Sequence, residues 1–498
     1  MMMTLRVALA LAAGLLLPLG FAPYGQAWAP VLGLAVIFAL IAPAQRPWQV
    51  LLPGYLFGLG FAGLGVYWIY HSIANYGGGP LAGAIATGVL VALFALIPML
   101  ALLLGWRAMR RHSTCMVLMG LPAAWVLVEW VRSWLFTGAT WLSIGYTQID
   151  TPLAALAPVF GVYGPGLAVA LVAGALAWWF LRPLSLRLLV PVLMLGVFTL
   201  AGLVLDRTWS VPSGEPLSVS IIQGNVAQSR KWDPDESADI LSEYLSESRA
   251  VLGQSLIVWP ETAVPAVYQQ VEDWLETLAA DAQGAGSTLI LGTPAADPAG
   301  EGLFNAVAVP GEDTQFYYKR HLVPFGEYVP FRAIAGGILD FVGTPLGDFS
   351  AGRSAEPLRA AGHAVGVSIC YEVTFGTEVL DALPGAEILL NVSNDAWFGQ
   401  TAAPWQHLQM ARMRAVETAR PMIRATNTGV SVLIDAQGEV TDQGPLFEAA
   451  VIEGEVIPHQ GMTPYMRWRD WPMAGGSAAL LLVGTLLRRR GVRLFRDV

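Results

Sequence analysis

From residue 5 to residue 205 the chain is a succession of apolar runs separated by short Pro- and Gly-rich breaks such as FAPYGQAWAP and NYGGGP. A helix needs about 20 apolar residues to cross a bilayer core about 30 Å thick, and such breaks belong where helices end at an interface. Seven runs approach that length, at 5–22, 31–45, 50–71, 80–104, 116–136, 162–181 and 187–205, and an eighth, the shortest, lies at 472–487. Between the seventh and the eighth the period changes. SVSIIQGNV, SLIVWPETA, STLILGTPA, NAVAVP, HAVGVSICYE, AEILLNVSND and GVSVLIDAQG read as buried strands ending in turns, while 235–252, 268–284 and 403–420 have helical spacing. Strands alternating with helices predict an α/β domain whose strand-end loops carry the site. The expected organisation is a polytopic α-helical membrane bundle of about eight spans, with 1–205 as the first seven, 206–471 as an α/β domain outside the membrane, and 472–498 as the eighth span and a tail.

Charge follows the same division. Only 10 of the 65 Asp, Glu, Lys and Arg residues lie in 1–205, whereas 49 lie in 206–487 and 6 in the remainder. The middle block holds 34 acids against 15 bases and the rest is net positive, so the formal charge of -9 averages two different objects. Hydrophobic residues make up 55% of the chain and charged residues 13%, with mean hydropathy +0.53. A soluble chain carries roughly 25% charged residues, which argues against a purely soluble protein. The only basic cluster is the short C-terminal tail, so nucleic-acid binding is excluded as the main activity. Two Cys make no disulfide framework, and the six scattered His fall in no HExxH or Cys/His zinc spacing, so metal catalysis is not expected.

Basic residues near helix ends stay cytoplasmic. The links after the second, fourth and sixth runs carry Arg46, then Arg107, Arg110 and Arg111, then Arg182 and Arg187; the tail carries Arg488, Arg489, Arg490, Arg493 and Arg496. The links after the first and third runs carry no base, and the fifth-to-sixth link has only Arg132. This alternation predicts both termini in the cytoplasm and residues 206–471 on the far side. The first run, with Arg6 at its start and Ala27-Trp28-Ala29 after it, is longer than a signal-peptide core, which predicts a retained helix.

Three strand ends in the charged block carry candidate chemistry. Glu261 follows an apolar strand and Trp259-Pro260, where an apolar pocket would raise a carboxylate's pKa toward that of a general base; a helix N-cap or loop acid is the plainer reading. Lys319, in YYKRHLVPFGEYVP, is one of only two Lys (the other is Lys231) in a chain with 26 Arg. A Lys kept beside Arg320 suggests a task for a compact ammonium, such as holding an oxyanion or pairing with a buried carboxylate. Cys370, in GVSICYE, is the only Cys of the block and ends an apolar strand. A thiol at such a corner meets backbone N–H groups that favour the thiolate, although a lone strand Cys is commonly inert core.

WPE, a Lys in YYKRHLVPFGEYVP and SICYE, in that order on an α/β domain, together resemble the Glu-Lys-Cys triad of the carbon–nitrogen hydrolase (nitrilase-like) superfamily. Eight spans around that domain, with KRHLVPFGEYVP and NDAWFG, make essentially the whole chain resemble the apolipoprotein N-acyltransferase family. The resemblance implies an αββα sandwich of two stacked sheets flanked by helices, periplasmic in the bacterial inner membrane. It implies transfer of an acyl chain from the sn-1 position of a phospholipid, such as phosphatidylethanolamine, to the α-amino group of a diacylglyceryl-cysteine at an apolipoprotein N-terminus, the last step of lipoprotein maturation. Glu261 would be the base, Cys370 the thioester-forming nucleophile of a ping-pong cycle, and Lys319 the oxyanion partner, with no cofactor and a monomer sufficing. Glu327 would orient the lysine and Glu372 would support the nucleophile. Trp232 and Trp141 match positions where the family places substrate-contacting aromatics; Tyr371, Asn305 and Trp397, also assigned to substrate binding, and Asn394 match motif positions where a structural role is equally open. From the residues themselves, Glu129 and Arg132 are expected to pair in the fifth span, and the loops IANYGGGP and 325–350 to gate entry. Two rivals share these residues: a membrane-anchored amidase or nitrilase with water as acceptor, and a transporter or sensor whose outer domain only binds ligand.

Overall fold

The computed structural model describes the chain except Met1, 182–187, Trp232, Pro234, 297–299, Glu301, 329–348 and 491–498. The expectations for Trp232, Arg182, Arg187, Arg493, Arg496 and most of 325–350 lie outside the described residues. Two compact units result, one of residues 1–69, 84–207 and 467–498, the other of 70–83 and 208–466.

The first unit is helical. Each of the eight apolar runs holds helix: Met2–Leu16, Trp28–Ile41, Trp48–Gly65, Gly79–Phe94 continued by Leu96–Met109, Leu121–Arg132, Tyr163–Leu181, Leu189–Leu205 and Trp471–Arg489. Among the described residues three helices, Gly79–Met109, Ser113–Arg132 and Tyr163–Leu181, are long and apolar enough to cross a membrane, or four if Trp48–Gly65 and Trp68–Tyr76, bent by 56°, form one span. Thr4–Gly20, Trp28–Ile41 and Leu189–Leu205 are apolar but shorter. Small residues bring these helices together, as van der Waals packing requires where lipid is as apolar as the side chains: a Cβ on Gly60 would meet the Leu11 carbonyl of the first helix at 2.5 Å. IANYGGGP is not an open loop. Ile73 to Tyr76 complete one helix and Gly79-Pro80 begin the next, because proline suits the first turn of a helix.

The second unit is built on two six-stranded sheets, with a small third sheet pairing β1 (Ser210–Pro212) with β14 (His459–Gly461). The first large sheet contains β2 (Leu217–Gln223), β3 (Leu256–Val258), β4 (Thr288–Ala296), β5 (Leu303–Val309), β6 (Gln315–Tyr318) and β13 (Ala450–Val456), in the order β13-β2-β3-β4-β5-β6. The second contains β7 (Leu358–Ala360), β8 (His363–Ile369), β9 (Ile388–Ser393), β10 (Met422–Thr426), β11 (Val432–Ile434) and β12 (Val440–Gln443), in the order β12-β11-β10-β9-β8-β7. In each, the three middle strands β2-β3-β4 or β8-β9-β10 are parallel and the outer pairings antiparallel.

Strand alternation explains the layers. Val219, Ile221, Leu256, Val258 and Ile290 of the first sheet bury against Val365, Val367, Ile369, Leu390 and Ile423 of the second. The opposite face of the first sheet, with Ile222, Ile257 and Leu289, is covered by Leu241 and Leu275 of helices Ser237–Ala250 and Glu272–Gly284. The opposite face of the second, with Leu389, Met422 and Val432, is covered by Leu408 and Ala411 of helix Ala403–Thr418. The result is the expected αββα sandwich. All seven expected strand segments form strands, but MIRAT (β10) was not among them, since Arg424 interrupts its apolar run.

Candidate active site

Glu261 lies just beyond β3, where the strand stops at Trp259-Pro260. Trp259 is fully buried, packs tilted against Tyr244 at 4.9 Å between ring centroids and donates its Nε1–H to Ser248 Oγ at 2.8 Å. The turn lies flat on β4 because residue 292 is Gly: a Cβ there would come within 2.7 Å of Glu261 Cα. Thr262 takes a left-handed φ of +50°, a costly conformation for a β-branched residue, and Ala263 N donates to Gly292 O at 2.9 Å.

The Glu261 side chain is 6% exposed. Its Oε1 accepts from Asn305 Nδ2 at 2.7 Å and Lys319 Nζ at 3.5 Å, and its Oε2 accepts from the Asn394 backbone N–H at 2.7 Å. Lys319 leaves the end of β6 and also donates to Glu327 Oε1 at 2.9 Å. Asn305, on β5, donates to that same Glu327 oxygen at 2.9 Å, and Glu327 Oε2 accepts from Val323 N at 2.8 Å. One buried ammonium therefore sits between two carboxylates tied together by one amide. Burial opposes the charge on Lys319, but Glu327 and then Glu261 outweigh it and hold the lysine above its ordinary pKa.

Cys370 ends β8 at a corner with φ +52° and is partly exposed. Burial raises its thiol pKa most, the Glu261 carboxylate raises it further, and Lys319 pulls it down; the net direction is up. Burial and the neighbouring Glu261 side chain thus disfavour the thiolate, and Lys319 favours it.

Below Cys370 lies a polar layer on the second sheet. The Cys370 carbonyl accepts from His407 Nε2 at 3.1 Å and from Asn391 Nδ2 at 3.4 Å. A carbonyl only accepts, so Nε2 of His407 carries a proton. Burial, then Arg424, lowers the pKa of His407. Arg424 Nη2 donates to Asp395 Oδ2 at 2.9 Å, and its Nη1 donates to Asn391 Oδ1. Burial pushes the Asp395 carboxyl up, but Arg424 and His407 outweigh it and bring its pKa to about 2.

The other expected site residues are dispersed. Glu372 is 2% exposed and accepts from Ile369 N at 2.6 Å, Tyr317 Oη at 3.0 Å, Arg320 N at 2.6 Å and His321 N at 3.0 Å. It ties the end of β8 to the segment after β6. Tyr371 packs edge-on to Phe375 at 4.9 Å and near His321 at 5.7 Å. Trp397, three residues beyond Asn394, meets Tyr76 edge-on at 5.3 Å and accepts from Ser72 Oγ through its carbonyl at 2.7 Å. Trp141 belongs to the helical unit, buried against Trp68 at 5.0 Å. Glu129 and Arg132 are in electrostatic contact, while Glu129 Oε1 accepts from Trp125 Nε1 and Ile144 N and Arg132 donates to the carbonyls of Ala139 and Trp141. Among the described residues no group of three or more His, Cys, Asp or Glu is arranged to hold a metal ion.

Sequence reasoning missed Asn391, His407 and Arg424, and met Lys231 only in a count. The available signal was polarity inside apolar runs, as in AEILLNVSND and MIRATN.

Residues 13–175 match the family model described as the apolipoprotein N-acyltransferase N-terminal domain, and residues 218–460 the carbon-nitrogen hydrolase model. A protein of Methylococcus capsulatus named apolipoprotein N-acyltransferase is 44% identical over 97% of this chain and 96% of its own length. Another of that name, from Pseudomonas syringae pv. tomato, is 42% identical over 96% of each. The crystal structure of a carbon-nitrogen hydrolase from Helicobacter pylori is 16% identical, covering 57% of this chain and 98% of its own, with TM-score 0.36.

Proposed function

Because the chain belongs to the apolipoprotein N-acyltransferase family, we propose that it carries an acyl chain from the sn-1 position of a membrane phospholipid to the α-amino group of an apolipoprotein's N-terminal diacylglyceryl-cysteine. The observation that carries the mechanism is the meeting of Glu261 and Glu327 on Lys319 within hydrogen-bonding distance, with Glu261 and Lys319 in electrostatic contact with Cys370. Glu261 takes the thiol proton as sulfur attacks the ester carbon. Thiolate and carboxylate thus never stand together, which their mutual repulsion demands. Lys319, held charged by its two carboxylates, and a backbone N–H at the Cys370 corner stabilise the tetrahedral oxyanion, each such donor being worth about 3–4 kcal/mol. Glu261 gives that proton to the departing glycerol oxygen, so lysophospholipid leaves as the neutral alcohol and a thioester remains on Cys370. The lipoprotein amine then attacks, with Glu261, again a carboxylate, taking its proton and passing it to the expelled Cys370 sulfur, which makes the cycle ping-pong.

Glu327 acts by fixing the lysine, and Glu372 by fixing the backbone that presents Cys370. Trp141, Trp232, Tyr371, Asn305 and Trp397 are assigned to the substrate surroundings, with Asn305 also bridging the two carboxylates. Eight spans, a retained first helix, both termini in the cytoplasm and residues 206–471 in the periplasm complete the proposal, supported by the alternation of basic links. With both substrates anchored in the inner membrane, phosphatidylethanolamine is the proposed donor and a monomer suffices. The name shared by the full-length relatives favours a lipoprotein acceptor over water.

The test is the intact mass of detergent-purified protein after incubation with phosphatidylethanolamine, beside Cys370→Ala. A hydroxylamine-labile acyl adduct on the wild type alone is expected. No adduct, with Cys370→Ala still acylating lipoprotein, overturns the assignment.

A further inference from the structure

The chain has two lysines and 26 arginines, and both lysines meet the same residue. Lys319 reaches the Glu261 carboxylate, while Lys231 Nζ donates to the Glu261 backbone carbonyl at 3.2 Å. Lys231 is 1% exposed. It closes a short helix, Gln228–Lys231, that follows β2, and the start of the same helix reaches the other side of the base: Gln228 Oε1 accepts from Asn394 Nδ2 at 2.9 Å, and the Asn394 N–H holds Glu261 Oε2.

We propose that the Gln228–Lys231 turn is a clamp on the general base and that Lys231 is its positioning residue, fixing the Glu261 carbonyl so that the carboxylate stays aimed at the Cys370 thiol. This rests on the role of Glu261 given above.

The strain in the turn explains why such a clamp is required. Thr262 is held left-handed directly after Glu261, and a residue in that region persists only where neighbours over-determine it. Rotation of the Glu261–Thr262 peptide would relieve the strain and swing the carboxylate from its donors. Gly292 O secures the turn from one side through Ala263 N, and Lys231 secures the carbonyl from another. An arginine at 231 would bring a planar fork where one carbonyl is offered, whereas an ammonium on a flexible stem fits a single acceptor. The position is demanding for a cation: burial lowers the Lys231 pKa to about 8, against the opposing pull of Glu261.

The experiment uses the full-length protein in phospholipid–detergent micelles. It measures the rate of Cys370 acylation and kcat and KM for both substrates, for wild type, Lys231→Met and Lys231→Gln, with Cys370→Ala as control. A carboxylate displaced by about 1 Å costs roughly 100-fold in rate, so Lys231→Met is expected to lower the acylation rate by about 10- to 100-fold with both KM values within twofold. Lys231→Gln keeps an N–H donor without charge and is expected to recover part of the lost kcat; if Lys231→Met does not fold, Lys231→Gln carries the test as a kcat below wild type at unchanged KM. Wild-type acylation in either folded variant, or a rise in KM at unchanged kcat, overturns the clamp. An active Cys370→Ala overturns the underlying mechanism instead, so the two failures are distinguishable.

Discussion

In the first sheet the parallel strands β2, β3 and β4 lead to Glu261 at the end of β3; in the second, β8, β9 and β10 lead to Cys370 at the end of β8. Both corners carry a left-handed residue, Thr262 in one and Cys370 itself in the other. Their electrostatics differ. Around Glu261 the ions face one another directly, Glu261 and Glu327 sharing Lys319 and Asn305. Around Cys370 the Asp395–Arg424 ion pair lies behind Asn391 and His407, which donate to the Cys370 carbonyl. In the proposed mechanism the first rim supplies the base and its cation, and the second presents the nucleophile.

That contrast predicts a graded set of outcomes. Cys370→Ala removes the nucleophile, and a loss of acylation on the order of 10⁴-fold or more is expected in single-turnover assays. On the charged rim, Glu261→Gln is expected to cost about 10²- to 10⁴-fold as loss of general-base catalysis. Lys319→Met is expected to cost about 10²- to 10³-fold in kcat as loss of an oxyanion partner. If Glu261→Gln and Cys370→Ala were equally inactive in thioester formation yet Lys319→Met were unaffected, the division of labour between the rims would be wrong.

The second rim should respond in stability first. Arg424→Met leaves Asp395 buried without its main cation, a change that typically costs about 3–5 kcal/mol, readable as a lower denaturation midpoint. The same pair sets an acid limit. The pKa of Asp395 is held near 2, below its unfolded value of roughly 3.9. Its contribution is therefore complete above about pH 4 and is lost as pH falls toward 2. Asp395→Asn should flatten that part of an acid-unfolding curve. The smallest effect is expected at Glu387, just before β9, whose carboxylate bonds Ser213, His363 and the Ala364 N–H at the start of β8. It is partly exposed, so Glu387→Gln should change stability by less than about 1 kcal/mol and leave acylation intact.

Where the apolar period was unbroken, the sequence was legible. SLIVWPETA and HAVGVSICYE end in the corners that carry Glu261 and Cys370, and the helical stretches 235–252 and 403–420 appear as Ser237–Ala250 and Ala403–Thr418. Legibility failed where a buried polar group interrupts a strand, as Arg424 does in β10. It failed again for the loop read into IANYGGGP, where glycine suggested freedom but the segment runs into helix at both ends.

By itself the sequence determined the alternation of apolar and polar positions, and with it the layers, the strand ends and the residue types available for chemistry, because burial and strand periodicity are local properties of the chain. Which of those residues meet was decided only by the tertiary structure. Lys231 and Lys319 lie 88 positions apart, and no local pattern announces that both converge on Glu261. The same holds for Asn394, whose N–H reaches Glu261 across 133 positions. A hydrogen bond depends on position in space, and two sheets brought face to face by their apolar sides are what bring these ends together.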